Sequence, residues 1–226
     1  MADPPARFTG FPREAISFFE GLAADNTKSY WQANKPVYEA SVKGPMVALL
    51  GELAEYGPFH VFRPYNDVRF AKNRPPYKEQ IGAYGESEGG AGHYVQLSGS
   101  GLTVGSGYYA MASDQLERFR AAVDDDHRGT EIAGIVAALH KAKLTTGAIS
   151  ELKTAPRGYA KDHPRIELIR RKGLIASRSW PVVGWLHTAK VVERVRAAWT
   201  EMAPMNEWLD ANVGPSQLAP EDLERF

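Results

Sequence analysis

The chain has 226 residues, 43% of them hydrophobic and 24% charged, with 27 Lys plus Arg against 27 Asp plus Glu. That length and composition suit one domain with a sizeable buried core and exclude disorder over most of the chain. A net charge of zero disfavours a dedicated duplex-binding protein, and the absence of cysteine excludes disulfides, thiolate zinc sites, iron–sulfur clusters and a cysteine nucleophile. The N-terminal run Met1-Ala2-Asp3-Pro4-Pro5-Ala6-Arg7 has no apolar stretch behind it, and nowhere is there an apolar run long enough to span a bilayer. A cytoplasmic protein with no membrane partner is expected.

The first third reads as helix. Behind Pro12, Ile16, Phe19, Leu22 and Ala23 recur at helical spacing. Asn26 or Thr27 caps a second helix carrying Tyr30, Trp31, Asn34 and Tyr38, which Pro36 should kink or end. Pro45 restarts it with Met46, Leu49, Leu50 and Leu53, and Gly57-Pro58 closes the segment. The middle reads as antiparallel sheet: Phe59–Phe62, Asn66–Ala71, and His93–Ser98 joined to Leu102–Tyr109 by the turn Gly99-Ser100-Gly101. The small, glycine-rich run Glu86–Gly92 reads as an exposed loop.

Helices then resume. Ser113 or Asp114 opens one with Leu116, Phe119 and Val123, and Thr130 caps another with Ile132, Ile135, Val136 and Leu139. A short strand falls within Leu144–Lys153, a helix runs from Pro164 to Gly173, and Ile175–Val183 is a weak strand. Thr188 opens an amphipathic helix bearing Val191, Val192, Val195, Trp199 and Met202; Pro204 starts a last short one. The expected fold class is α+β: a single domain over 1–226, with an ordered core near 8–213 and a tail over 214–226. Its central sheet is largely antiparallel and flanked by helices.

Several chemical templates fail. Gly99-Ser100-Gly101 and Gly105 lead into a strand, not into the helix that a dinucleotide fingerprint requires. The six histidines are widely spaced, with no metal-ligand pattern, so no metal is expected; the sequence leaves any cofactor unknown. Gly-x-Ser-x-Gly and P-loop patterns are absent.

Two basic segments remain. Residues 60–80 hold five basic and two acidic side chains, and residues 153–178 hold eight and two. In the first, a strand over Asn66–Ala71 would turn Val68 and Phe70 inward and present Asp67 and Arg69 on the other face, followed by Lys72, Arg74 and Lys78. An aspartate that fixes a guanidinium plane suits a carboxylate or phosphate ligand, though solvated structural ion pairs look the same. In the second, Arg157, Gly158 and Tyr159 precede Asp162, His163 and Pro164, where a helix N-terminus would form an anion site or merely a capped turn. Asn34-Lys35-Pro36-Val37-Tyr38 and Asn73-Arg74-Pro75-Pro76-Tyr77 share a pattern in different settings, which reads as coincidence.

The run from Arg63 through Asp67, Arg69 and Phe70 to Tyr77 resembles the defining motif of a widespread bacterial family known as domain of unknown function 2461. Phe8-Thr9-Gly10-Phe11-Pro12, Trp31 with Asn34, Lys35 and Tyr38, Pro156-Arg157-Gly158-Tyr159 and Asp162-His163-Pro164 extend the likeness over nearly the whole chain. Asn66 stands where the motif has arginine and Arg74 where it has lysine. The resemblance implies no activity.

The leading expectation is a binder of a small phosphate- or carboxylate-bearing anion. Arg69 and Arg157 would clamp it, Asp67 would orient Arg69, Arg63, Lys72 and Lys78 would add charge, and Tyr77, Tyr159 and Asp162 would complete the site. An enzyme using the same pocket would take His163 as general acid–base. A structural or partner-binding protein would instead use exposed aromatics such as Trp208. A single-stranded nucleic-acid binder is a fourth reading, from aromatics near both basic segments.

Overall fold

The computed structural model describes residues 7–67, 74–86 and 90–218. Along the chain come α1 (Arg13–Ala24), α2 (Lys28–Val37), a π-helical stretch Tyr38–Lys43, α3 (Gly44–Glu52), β1 (Phe59–Val61), β2 (Gln80–Glu86), β3 (Gly92–Ser98) and β4 (Gly101–Tyr108). Then follow α4 (Ser113–Asp124), α5 (Asp126–Lys141), β5 (Thr145–Gly147), α6 (Ile166–Ile169), β6 (Leu174–Trp180) and α7 (Lys190–Asn212). The strands form one antiparallel sheet in the order β1-β2-β3-β4-β6-β5, so the fold class is α+β. The chain divides into two compact, interleaved units: residues 1–85, 94–104 and 179–197, and residues 86–93, 105–178 and 198–226. No helix among the described residues is long and apolar enough to cross a membrane.

In the first unit, α1 buries Ala15, Ile16, Phe18, Phe19 and Leu22, whereas Ala23, expected on that face, is exposed. Thr27 takes the α2 cap, its hydroxyl accepting from the Tyr30 N–H at 3.2 Å. Pro36 does not end the helix. It removes one backbone donor, and the chain passes through it into π-type hydrogen bonding over Tyr38–Lys43 before α3 begins. Met46, Leu49, Leu50 and Leu53 are buried behind Pro45 as expected. β1 pairs with β2 in the register Phe59↔Gly85, His60↔Tyr84 and Val61↔Ala83. Strand β2 is absent from the expectation: Gly82 and Gly85 interrupt its apolar alternation, and each lies under an aromatic ring of Phe62 or Phe59.

In the second unit, α4 buries Phe119, Ala122 and Val123, and α5 buries Ile132 and Leu139. The α5 cap is Asp125, whose carboxylate accepts from the His127 and Arg128 N–H groups. Thr130 lies inside the helix. The helix expected up to Gly173 is one turn long, because residues 150–152 pair with 170–172 as an extended ladder through Leu152 N–H to Arg170 O and Lys172 N–H to Ser150 O. Helix α7 runs through Pro204 without a break; Pro204 lies on its exposed side, while Trp199, Met202, Met205, Trp208 and Leu209 are buried. Trp208, expected as an exposed partner-binding aromatic, is 4% exposed. The predicted tail is partly tied down, since Asp114 and Arg118 hold residues 213–217.

Arginines finish several helices. Arg118 donates to Val213 O, Arg120 to Ile169 O, Arg165 to Val123 O and Asp124 O, and Arg178 to Ala142 O; in the first unit Arg196 donates to Glu52 O. A cation at a helix C-terminus satisfies orphan carbonyls and meets the negative end of the dipole.

Candidate functional site

In the first basic segment the chain folds back on itself. Tyr65 bridges Tyr77 in an antiparallel pair, the Asn66 N–H donates to Pro76 O at 2.9 Å, and the Lys78 N–H donates to Pro64 O at 2.8 Å. Asn66 and Asp67 are not strand, and Asp67 is half-buried. Val68, Arg69, Phe70, Ala71, Lys72 and Asn73 lie outside the described residues, so Arg69 and Lys72 of the expected site do as well.

An aromatic cluster seats this fold-back. Tyr77 stacks on Trp31 at 4.6 Å and 8°, and Tyr38 packs on the same indole at 4.8 Å. Both tyrosines of the repeated Asn-basic-Pro-x-Tyr pattern thus converge on Trp31. Tyr77 is 6% exposed, and burial raises its phenol, as it pushes the Tyr38 phenol up to about 12. That position makes Tyr77 an anchor in the core. Asn26, from the α1–α2 turn, brackets the Tyr77 backbone: its Nδ2 donates to Tyr77 O at 3.0 Å and its Oδ1 accepts from the Tyr77 N–H at 3.0 Å. Asn66 Nδ2 adds bonds to Pro75 O and Tyr77 O.

Around this anchored base stand Arg63, Arg74 and Lys78. Both arginines are exposed, and none of the three makes an ion pair among the described residues. Lys78 is held below the usual lysine range, first by burial and then by the neighbouring Arg63 and Arg74. Its ammonium sits 5.2 Å from the centre of the Phe62 ring. Arg74 therefore joins a cation cluster with two residues of the expected site.

The second basic segment is built differently. Most of its arginines are already engaged: Arg165 and Arg178 at helix ends, Arg170 on Leu152 O and Glu167, and Arg171 beside Glu151. Arg157 is exposed in a turn where Gly158 adopts φ +94°, a backbone that side chains resist, and it makes no polar contact among the described residues. Tyr159 is half-buried, its phenol raised by burial and by nearby Asp124. Asp162 is exposed. His163 has both ring nitrogens engaged, Nδ1 accepting from the Arg165 N–H at 3.0 Å and Nε2 lying 3.2 Å from Asp124 Oδ1. The helix that would have offered an anion its N-terminus there is the four-residue α6. Among the described residues no three His, Asp or Glu side chains gather as a metal site.

A family model described as conserved hypothetical protein, DUF2461, matches residues 14–208. The chain belongs to that family. No curated protein matches it. The DUF2461 match spans the cation cluster, the Trp31 anchor and the Arg157 turn, while Phe8–Pro12 lies before it. Within that last segment, the Phe11 N–H donates to Leu186 O and His187 Nδ1 lies 2.7 Å from Phe11 O, which gives the residues a packing role.

Sequence reasoning missed Asn26 as a clamp, because a contact between positions 26 and 77 leaves no local trace. It also missed the aromatic side chains of β2 and β3. Alternation across Ile81, Ala83, Val95 and Leu97 was the available signal, but the β2 glycines hid half of it.

Proposed function

We propose that this DUF2461 protein binds a small phosphate- or carboxylate-bearing anion at the cluster of Arg63, Arg74 and Lys78. One observation carries the reading: three cations gather on an anchored fold-back with no carboxylate partner among the described residues, whereas most arginines of the second basic segment are used on carbonyls and carboxylates. Like charges held together are unfavourable until an anion arrives, and guanidinium forks match phosphate and carboxylate oxygens. Arg157 stands as a separate candidate in its own unit. The acid–base reading of His163 gains no support, since a base needs a free lone pair and the Arg165 N–H occupies that of Nδ1. A bacterial, cytoplasmic setting accords with the reading, because small phosphates and carboxylates are abundant ligands there.

Thermal unfolding in phosphate, compared with chloride at constant ionic strength, tests the proposal. A ligand that binds only the folded state raises its stability, but phosphate also strengthens burial in any protein, so variants must be compared in the same anion. The wild-type shift is expected to fall by more than half in R63A/R74A and to persist in R157A. Equal shifts in all three proteins would leave only the solvent effect and remove the site.

A further inference from the structure

Among the described residues, β1, β2 and the part of β3 in the first unit bury one face and leave the other partly exposed. Ile81, Ala83, Val95 and Leu97 are at most 1% exposed, so their alternating neighbours point the opposite way. A solvated sheet face ordinarily carries Thr, Lys or Glu. Here, beside the polar Gln80, Gln96 and Ser98, it carries His60, Phe62, Tyr84 and Tyr94, with His60 exposed, Phe62 41% exposed and both tyrosines half-buried. The rings form a row: His60 to Tyr84 is 5.4 Å, Tyr84 to Phe62 is 5.3 Å in a stacked pair, and Phe62 to Tyr94 is 6.4 Å. Gly82 lies beneath the row, where an added Cβ would meet Tyr94 Oη at 2.9 Å and Phe62 at 3.4 Å. Beside Phe62, within the row, stands Lys78, and with it the cation cluster.

Partly exposed rings lose water on contact with a planar partner, and a neighbouring cation selects a partner that carries negative charge. We infer that the open face takes the base of a nucleotidyl ligand, with its phosphate on Arg63, Arg74 and Lys78. The occupant is a free nucleotide: three cations at one spot suit a single phosphate group, and a chain of zero net charge lacks the excess of positive charge that a strand-binding protein ordinarily carries. The inference rests on the anion-binding reading and adds the ring to it.

The test is calorimetric titration of the full chain with ribose 5-phosphate, adenosine 5′-monophosphate and a short oligothymidylate at one ionic strength. The nucleotide is expected to bind about tenfold tighter than ribose 5-phosphate, since stacking of one base on aromatic side chains contributes about that factor. F62A and Y84A are expected to lose that advantage while still binding ribose 5-phosphate, which also shows that they fold. An oligothymidylate tighter than the mononucleotide would overturn the free-nucleotide assignment, and comparable or weaker binding supports it. Equal affinity for nucleotide and ribose 5-phosphate would overturn the ring inference and leave the anion site standing. Retention of the advantage in both variants would overturn its placement, and no binding by any of the probes would overturn both readings.

Discussion

Asn26 holds Tyr77 as a neighbouring strand would, giving one bond and taking one at 3.0 Å each. Its removal leaves the part-buried Tyr77 N–H without that acceptor, while Tyr77 O keeps the Asn66 Nδ2 donor at 3.2 Å, and an unsatisfied group of this kind costs about 1–3 kcal/mol. N26A should therefore lower the unfolding free energy measured in urea by that order, with a lower midpoint at unchanged m. N26D should lose about as much, because it keeps the acceptor, loses the donor and sets a carboxylate against Tyr77 O and near Glu79. Wild-type stability in N26D would show that the bracket contributes little. The sequence marked Asn26 only as one of two candidate helix caps. Thr27 takes the cap and leaves the amide for Tyr77, a choice made by partners fifty-one positions away.

Among the elements, α4 and the chain after α7 are joined through one carboxylate. Asp114 accepts from Arg118 Nη1 at 3.0 Å, the Ser216 hydroxyl at 2.8 Å and the Gln217 N–H at 2.8 Å, while Gln115 Nε2 donates to Gly214 O. Burial alone would raise its carboxyl, but the bonds from Gln217, Ser216 and Arg118 outweigh it and hold the group at about 2. A carboxyl depressed in the folded state contributes stability above its unfolded value, about 4, and loses that contribution as pH falls towards about 2. Denaturation at about pH 6, 4 and 3 should show D114N less stable than wild type at pH 6, with the gap closing on acidification. A constant gap would mean that the charge of Asp114 contributes nothing. Elements with strong helical or alternating periodicity were legible: α1, α3, α4, the β3–β4 hairpin and the start of α7. Boundaries were not, for physical reasons. Pro36 and Pro204 were accommodated by π bonding and by an exposed position on a long helix, and α6 was cut short by extended pairing.

At the level of the whole chain, equal numbers of acids and bases hide an uneven use of charge. Counting residues located two basic segments but not what each cation touches. Folding binds most arginines of residues 153–178 to carbonyls and carboxylates, and leaves Arg63, Arg74 and Lys78 together without a carboxylate among the described residues. The two basic segments were legible as composition, while the members of the proposed anion site were decided by tertiary structure: Arg74 entered, and Tyr77 became an anchor. Calorimetric titration of inorganic pyrophosphate at fixed ionic strength compares these assignments directly. Wild type and R157Q should bind at one site with similar affinity, and R63Q/R74Q should bind at least about tenfold more weakly, since charge-assisted hydrogen bonds contribute about 1.5–3 kcal/mol each. Unchanged affinity in R63Q/R74Q, or its loss in R157Q alone, would contradict the assignment of the site to this cluster.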